Sequence, residues 1–220
     1  MFTGIVQAVG TIAAATPQGD GLRLAIDPGP LDIADVGIGD SIAVNGCCLT
    51  VVVRSPADAP PRLAFDVSGE TLRCTTGLDG RSSVNLEKAL RLADRLGGHL
   101  MTGHVDGVGT VVAFEAVGAV PAAAPGATPT SWRLEIEAPA ALARFIAAKG
   151  SIAVQGVSLT VNAVAGARFE VNLIPHTLAV TTLGALAAGA SVNLEIDLVA
   201  RYVARLHEAP FAAAPVTSAR

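Results

Sequence analysis

At 220 residues the chain is long enough for one large domain or two small ones. With 51 % apolar and 15 % charged residues it can build packed cores and carries too little charge for a disordered chain. A net charge of −4, two lysines (Lys88 and Lys149) and scattered arginines leave no basic stripe for a nucleic acid.

The opening MFTGIVQAVG lacks a basic region followed by a long apolar one, so no signal peptide is expected. No apolar run approaches the roughly 18–20 residues of a membrane span, so no membrane partner is expected either. The three cysteines, two of them adjacent at Cys47 and Cys48, suit neither a disulfide framework nor paired zinc ligands. A cytoplasmic, metal-free protein is the expectation.

In chain order, residues 5–12, 22–26, 41–45, 47–53 and 62–67 are rich in Val, Ile, Leu and Thr and are parted by Gly, Pro, Asp and Asn, the pattern of short strands. Asn45-Gly46 is a hairpin signal, and Gln155-Gly156 is a weaker one. Helices are predicted over 69–76 and 86–96, the second ended by Gly97-Gly98. Residues 117–131, VGAVPAAAPGATPTS, read as a surface loop between strands. A further helix is predicted over 139–149, after Pro139, with Leu142, Phe145 and Ile146 on one face. LVARYVARLHE at 198–208 sets Leu198, Val199, Tyr202, Val203 and Leu206 along one helical stripe. That stripe either lies on its own domain or meets another chain. The tail FAAAPVTSAR reads as loose. So many short strands imply an all-β fold of small closed barrels.

The chain also repeats itself. SIAVNGCCLTV at 41–51 returns as SIAVQGVSLTV at 151–161, FTGIVQAVGTI at 2–12 as MTGHVDGVGTV at 101–111, and GETLRCTTG at 69–77 as PHTLAVTTL at 175–183. SVNLE stands at both 83–87 and 191–195. Four blocks in the same order mark a tandem duplication rather than a solenoid of short repeats. The expected division is a first barrel at 1–97, a second at 98–197 and a terminal helix and tail at 198–220.

A duplication carries its own control, because unmatched polar residues mark where the copies became chemically different. Alternate strand residues share a face, so Cys48 and Thr50 point together, as do Ser158 and Thr160, opposite Leu49/Val51 and Leu159/Val161. Against that common outward face, Ile5 becomes His104, Cys48 becomes Ser158, Gly39 becomes Lys149 and Ala89 becomes Asp197. Each change also has a bland reading. A lone Cys is often a small apolar filler, a strand His a structural hydrogen bonder, Asp197 a helix cap and Lys149 a solvated end. Their coincidence at repeat-aligned places favours a functional site. His99, His176 and His207 carry less weight: His99 follows the glycine break, His176 lies in a segment that serves a shared ligand contact, and His207 sits on the terminal helix.

The blocks MFTGIVQ, NGCCLTV, ETLR, GGHLMTGHVDG, KGSIAVQGVSLTV, LIPHTL, TTLG and VNLEID, in this order, resemble the riboflavin synthases of the alpha-chain type over about residues 1–207. The chain departs from the family pattern in the 117–131 insertion, at Gln155 and at His176. The resemblance implies two six-stranded Greek-key-like β-barrels with short helices and a C-terminal helix, assembled as a homotrimer, with lumazine synthase as a further associated protein. Each barrel would hold one 6,7-dimethyl-8-ribityllumazine, and the productive pair would form between neighbouring subunits. One lumazine would pass a four-carbon unit to the other, giving riboflavin and 5-amino-6-(ribitylamino)uracil with no metal and no cofactor.

By the same resemblance Cys48, His104, Ser158, Thr160 and Asp197 are the catalytic set. His104 would move a proton, Ser158 and Thr160 would orient a ring, and Asp197 would orient or polarise the acceptor. Cys48 stays open between nucleophile, base and contact. The substrate-binding positions carried over are Gly4, Ile5, Val6, Cys48, Leu49, Thr50, Asp66, Val67, Ser68, Gly69, Glu70, Thr71, Gly103, His104, Val105, Lys149, Ser158, Leu159, Thr160, Ile174, Pro175, His176, Thr177, Leu178 and Ala179. A non-catalytic lumazine- or flavin-binding antenna protein is the alternative. It would be expected to lose the reactive set in at least one half. The flavin barrel of a reductase would need a phosphate site and a nucleotide-binding domain, and the sequence shows neither.

Overall fold

A computed structural model describes residues 1–117 and 130–208. The first copy contributes β1 (Ala8–Gln18), β2 (Gly21–Asp27), β3 (Ser41–Val44), β4 (Cys47–Arg54), β5 (Leu63–Val67) and β6 (Ser83–Lys88). The second contributes β7 (Gly107–Val117), β8 (Ser131–Glu137), β9 (Ser151–Val154), β10 (Val157–Ala165), β11 (Arg168–Leu173) and β12 (Ser191–Ile196). All pairs are antiparallel, and each set closes into a six-stranded barrel. The strand order β1-β2-β5-β4-β3-β6 of the first barrel is repeated strand for strand in the second. Even the irregularities are duplicated: register shifts at Ile12/Ala14 and Val51/Val53 return at Val111/Ala113 and Val161/Ala163. Such bulges bend a strand sharply enough to turn the corner of a small barrel.

Alternation builds the two cores. In β4, Leu49 and Val51 are buried while Thr50 is exposed and Cys48 half-buried, as the alternating pattern requires. Phe65 centres one core and Phe169 the other, both almost fully buried. Truncating either to Ala should cost about 3–5 kcal/mol.

The strands β6 and β12, written SVNLE in both copies, are buried on both faces. Val84 and Leu86 fill the first core, while Asn85 reaches the second half and Glu87 holds the Thr3–Gly4 segment. Asn85 donates from its amide nitrogen to the Gln155 carbonyl (2.9 Å) and accepts from the Thr182 N–H (2.8 Å). Asn193 does the same in mirror fashion, to the Asn45 carbonyl (3.1 Å) and from the Thr76 N–H (2.8 Å). The hairpin turns meet at Gly46 and Gly156, where a Cβ on Gly46 would lie 2.8 Å from the Gly156 nitrogen. Phe2 and Met101 exchange backbone hydrogen bonds (2.9 and 3.0 Å) and pack with Ala43 and Ala153 between the barrels.

Three expectations change. The helix predicted over 86–96 is absent: residues through Lys88 belong to β6, and only turns follow. Leu92 and Leu96 are exposed, whereas Leu86 is a buried strand residue, so the segment offers no apolar face for a helix to bury. The helix predicted over 139–149 shrinks to a 3-10 turn at Ala140–Phe145, which buries Leu142; Ile146 beyond it is also buried. The chain after it must then turn so that the Lys149 N–H meets the Val161 carbonyl (2.7 Å). The helix predicted over 69–76 is a shorter α1 (Gly69–Cys74), capped by the Ser68 hydroxyl, which accepts from the Thr71 N–H. Its counterpart is α2 (Pro175–Val180).

The terminal helix forms as α3 (Leu198–His207). Asp197 caps it by accepting from the Val199 N–H (2.9 Å), and Arg201 pairs with Asp106 at the entrance to β7. Val199, Tyr202, Val203 and Leu206 remain exposed, so among the described residues nothing covers the stripe. Most of the insertion expected over 117–131 and the tail FAAAPVTSAR lie outside the described residues. Among the described residues no helix is long and apolar enough to cross a membrane.

Candidate functional site: two clefts with exchanged loops

The segments that precede β1 and β7 do not stay with their own barrels. Val6 packs on the second core and Val105 on the first. The Ser158 N–H donates to the Gly4 carbonyl, and the Cys48 N–H donates to the Gly103 carbonyl, each at 2.8 Å. Both glycines have positive φ (75° and 78°), and both are pressed on the opposite strand. A Cβ at Gly4 would stand 2.5 Å from the Ser158 Cβ, and one at Gly103 would stand 2.6 Å from the Cys48 Cβ. Only glycine fits such an approach.

The first cleft, about 200 Å³, is lined by Cys47, Cys48, Glu70, Thr71, Cys74 and Thr75 of the first half and by Gly103, His104 and Val105 of the second. The imidazole that the second copy gained thus stands with the thiol that only the first copy kept. Cys47 points into the barrel wall, and burial pushes its thiol up to about 12. Glu70 is paired with Arg73 and accepts from the Cys74 thiol (3.6 Å). The expected contacts Cys48, Glu70, Thr71, Gly103, His104 and Val105 therefore meet, with Thr50 exposed beyond Cys48 on the same face. Asp66 is not among the residues lining this cleft; both its carboxylate oxygens accept from Arg23 on β2 (2.7 and 2.8 Å). Leu49 and Val67 are core residues, Ser68 is the α1 cap, and Gly69 packs on Asp20.

At the second copy, Ser158 and Thr160 lie on the outward face of β10, with Ser158 half-buried and Thr160 exposed. Leu159 packs on the second core. Gly4 and Ile5 reach them from the first half, and Ile174–Ala179 form the cap and body of α2. His176 is exposed on that helix, Thr177 accepts from the Thr181 hydroxyl through its carbonyl, and Leu178 packs on the second core. Lys149 occupies the turn before β9 at φ 68°, where the first copy has Gly39 at φ 94°. A lysine held in a conformation that favours glycine is a strained feature of the kind found at functional sites.

The residue undervalued by the sequence reading is His99. Its Nδ1 lies 2.7 Å from the Ser158 hydroxyl, and its Nε2 is buried without a hydrogen-bond partner among the described residues. Burial pushes the imidazole below its ordinary range, and the Asp197 carboxylate pulls weakly the other way. A neutral imidazole on a serine hydroxyl is a polarising pair, and an orphaned buried nitrogen asks for a ligand. The repeat could not reveal it. Met101 aligns with Phe2, so the place that would match His99 falls before the first residue.

Comparison with known proteins agrees with this duplicated architecture. The lumazine binding domain matches twice, at residues 3–89 and 102–197. The chain is 46 % identical over 212 residues to the riboflavin synthase of Mycobacterium tuberculosis strain H37Rv, covering 94 % of this chain and 98 % of that one. This chain belongs to the riboflavin synthase family. A second member, from Photobacterium phosphoreum, is 42 % identical over 208 residues, covering 94 % of this chain and 88 % of the relative. LumP complexed with riboflavin superimposes with a TM-score of 0.74 at 30 % identity, over 89 % of this chain and 99 % of that one. LumP complexed with 6,7-dimethyl-8-(1'-D-ribityl) lumazine gives 0.73 at 29 % identity over the same shares. Both copies of the lumazine binding domain are thus present in this chain.

Proposed function

We propose that the chain catalyses the dismutation of two 6,7-dimethyl-8-ribityllumazine molecules. A four-carbon unit passes from one to the other, giving riboflavin and 5-amino-6-(ribitylamino)uracil. Every atom of the two substrates is found in the two products, so the reaction consumes no oxidant, reductant or co-substrate. The observation that carries the reading is the pair of matched strand faces, each met by a loop from the other half, with unlike chemistry. One sets Cys48 beside His104, and the other sets Ser158 on His99. Matched backbone faces suit two copies of one ligand, and unequal side chains suit a donor and an acceptor.

The reaction needs a proton removed from an acidic methyl group and a nucleophile added to the partner ring. His104, exposed at the rim beside Cys48, serves the proton transfer in the first cleft. His99 draws on the Ser158 hydroxyl in the second, with Asp197 supplying charge nearby and Thr160 orienting the ring. Holding two rings in contact supplies a large share of the rate, on the order of several kcal/mol.

A first cleft of about 200 Å³ is smaller than the roughly 300–1,000 Å³ typical of a closed small-molecule site, which fits a half-site that a second subunit completes. The uncovered α3 stripe supplies the contact surface for a homotrimer. Three unpaired cysteines agree with a reducing, cytoplasmic setting. The family resemblance also makes lumazine synthase a partner to test by co-purification. The deciding experiment is incubation of the pure protein with the lumazine alone, following flavin absorbance. Half a riboflavin should form per lumazine consumed. Tight binding without turnover would instead make the chain a lumazine carrier, the reading that LumP complexes keep in view.

A further inference from the structure

Each exchanged loop is gripped by one buried carboxylate from the repeated SVNLE strand. Glu87 accepts from the Thr3 N–H (2.7 Å), the Thr3 hydroxyl (2.6 Å) and the Gly4 N–H (3.0 Å). Glu195 accepts from the Thr102 N–H (2.7 Å), the Thr102 hydroxyl (2.7 Å) and the Gly103 N–H (3.0 Å). Both glutamates are only 4 % exposed. Successive N–H groups at a positive-φ glycine form a small concavity that suits an anion, and here the protein fills it with its own carboxylate. The Gly4 carbonyl then meets the Ser158 N–H, and the Gly103 carbonyl meets the Cys48 N–H.

We propose that Glu87 and Glu195 are crossed positioning residues: each carboxylate, fixed in one barrel, sets the loop that completes the substrate cleft on the other barrel. Glu195 of the second barrel places Gly103 and His104 over Cys48 of the first. Glu87 of the first barrel places Gly4 and Ile5 against Ser158 of the second. Neither glutamate touches the reacting pair; each acts through its loop. The arrangement explains why SVNLE is preserved in both copies although the clefts diverged. It also couples the clefts, since each barrel's frame determines the geometry of the other's site. Burial pushes both carboxyls up and the three donors pull back, so removing the carboxylate would leave the loop's donors without that acceptor.

The inference rests on reading these clefts as the substrate sites, and the test separates the two. Glu195→Gln and Glu87→Gln keep the side-chain shape but turn an N–H against the glycine N–H. Amide hydrogen exchange, which needs no ligand, is read at the Cys48 and Ser158 nitrogens. Glu195→Gln should speed exchange at Cys48 about tenfold and leave Ser158 unchanged; Glu87→Gln should do the reverse. Affinity for the lumazine, followed by NMR of labelled ligand in the intact protein, should weaken about tenfold at the opposite barrel alone. Bound signals are assigned with Cys48→Ser and Ser158→Ala. Loosening confined to the barrel that carries the mutation, general loosening of both barrels, or no change at either amide would overturn the proposal. Crossed exchange with no lumazine bound by the unmutated protein would refute the substrate reading and leave the crossed grip established. Should either glutamine variant fail to fold, Glu195→Asp and Glu87→Asp, which keep the charge on a shorter arm, give the same crossed comparison.

Discussion

His99 carries a pH dependence whose sign follows from its burial. A histidine whose folded pKa lies below its unfolded value of about 6.5 adds stability above that pH and loses it as pH falls through the folded value. Acid should therefore destabilise the unmutated protein more than His99→Gln, which cannot gain the charge. Melting temperatures from pH 7.5 down to about 5 would show the unmutated curve falling more steeply, and parallel curves would refute the assignment. Thiol chemistry offers a second residue-scale test. Cys47, with its thiol pushed to about 12, should resist iodoacetamide at neutral pH, whereas Cys48 at the cleft and the exposed Cys74 should be labelled. Mass spectrometry of the labelled peptides distinguishes the adjacent pair. Cys48→Ala and Ser158→Ala should also differ, despite their matched positions, because one thiol has His104 for company and one hydroxyl has His99. Site-resolved binding of labelled lumazine should show each variant weakening its own cleft. Identical profiles in the two would contradict the division into donor and acceptor.

At the scale of elements, the turn before β9 sets stability against binding. Lys149 and Gly39 do the same backbone work, donating their N–H groups to the Val161 carbonyl on β10 and the Val51 carbonyl on β4. Only the lysine does so at a φ that disfavours a side chain. Lys149→Gly should relieve about 1 kcal/mol and raise the melting temperature by roughly 2–4 °C. The same change should weaken lumazine binding by removing the ammonium. A variant that is neither more stable nor weaker in binding would remove the functional reason for the strain. This element also shows what sequence can and cannot display. Period-two alternation and Asn-Gly turns made the strands legible, because those signals depend on neighbours in the chain. The segment 86–96 reads as helix from the Gly97-Gly98 stop that ends it, although Val84 and Leu86 alternate with Asn85 and Glu87 as a strand requires. Only burial fails to alternate there, because the polar face is covered as well. The exchange of the loops before β1 and β7 was equally hidden. Nothing local in FTGIV or MTGHV says which barrel it will complete, although the repeat did mark Ile5 and His104 as unlike.

For the whole molecule, exchange between barrels within a chain leaves open how the two clefts meet each other. Each cleft already draws on both halves of one chain, yet the residues of the first and those around Ser158 share no lining group. The stripe Val199–Leu206 stands uncovered on α3, and burying side chains of that kind stabilises an assembly by about 1.5–3 kcal/mol each. In the proposed trimer, joined through that stripe, the first cleft of one chain meets the second cleft of its neighbour. The test is complementation. Chains carrying Cys48→Ala and chains carrying Ser158→Ala are purified separately, unfolded together and reassembled in equal amounts. If the productive pair forms between chains, roughly a quarter of the sites in random mixtures join an intact first cleft to an intact second cleft, and activity should rise above either parent. If the pair forms within one chain, every site keeps one lesion. Mixed assemblies no more active than their parents, with trimers verified by light scattering, would place the reaction inside a single chain.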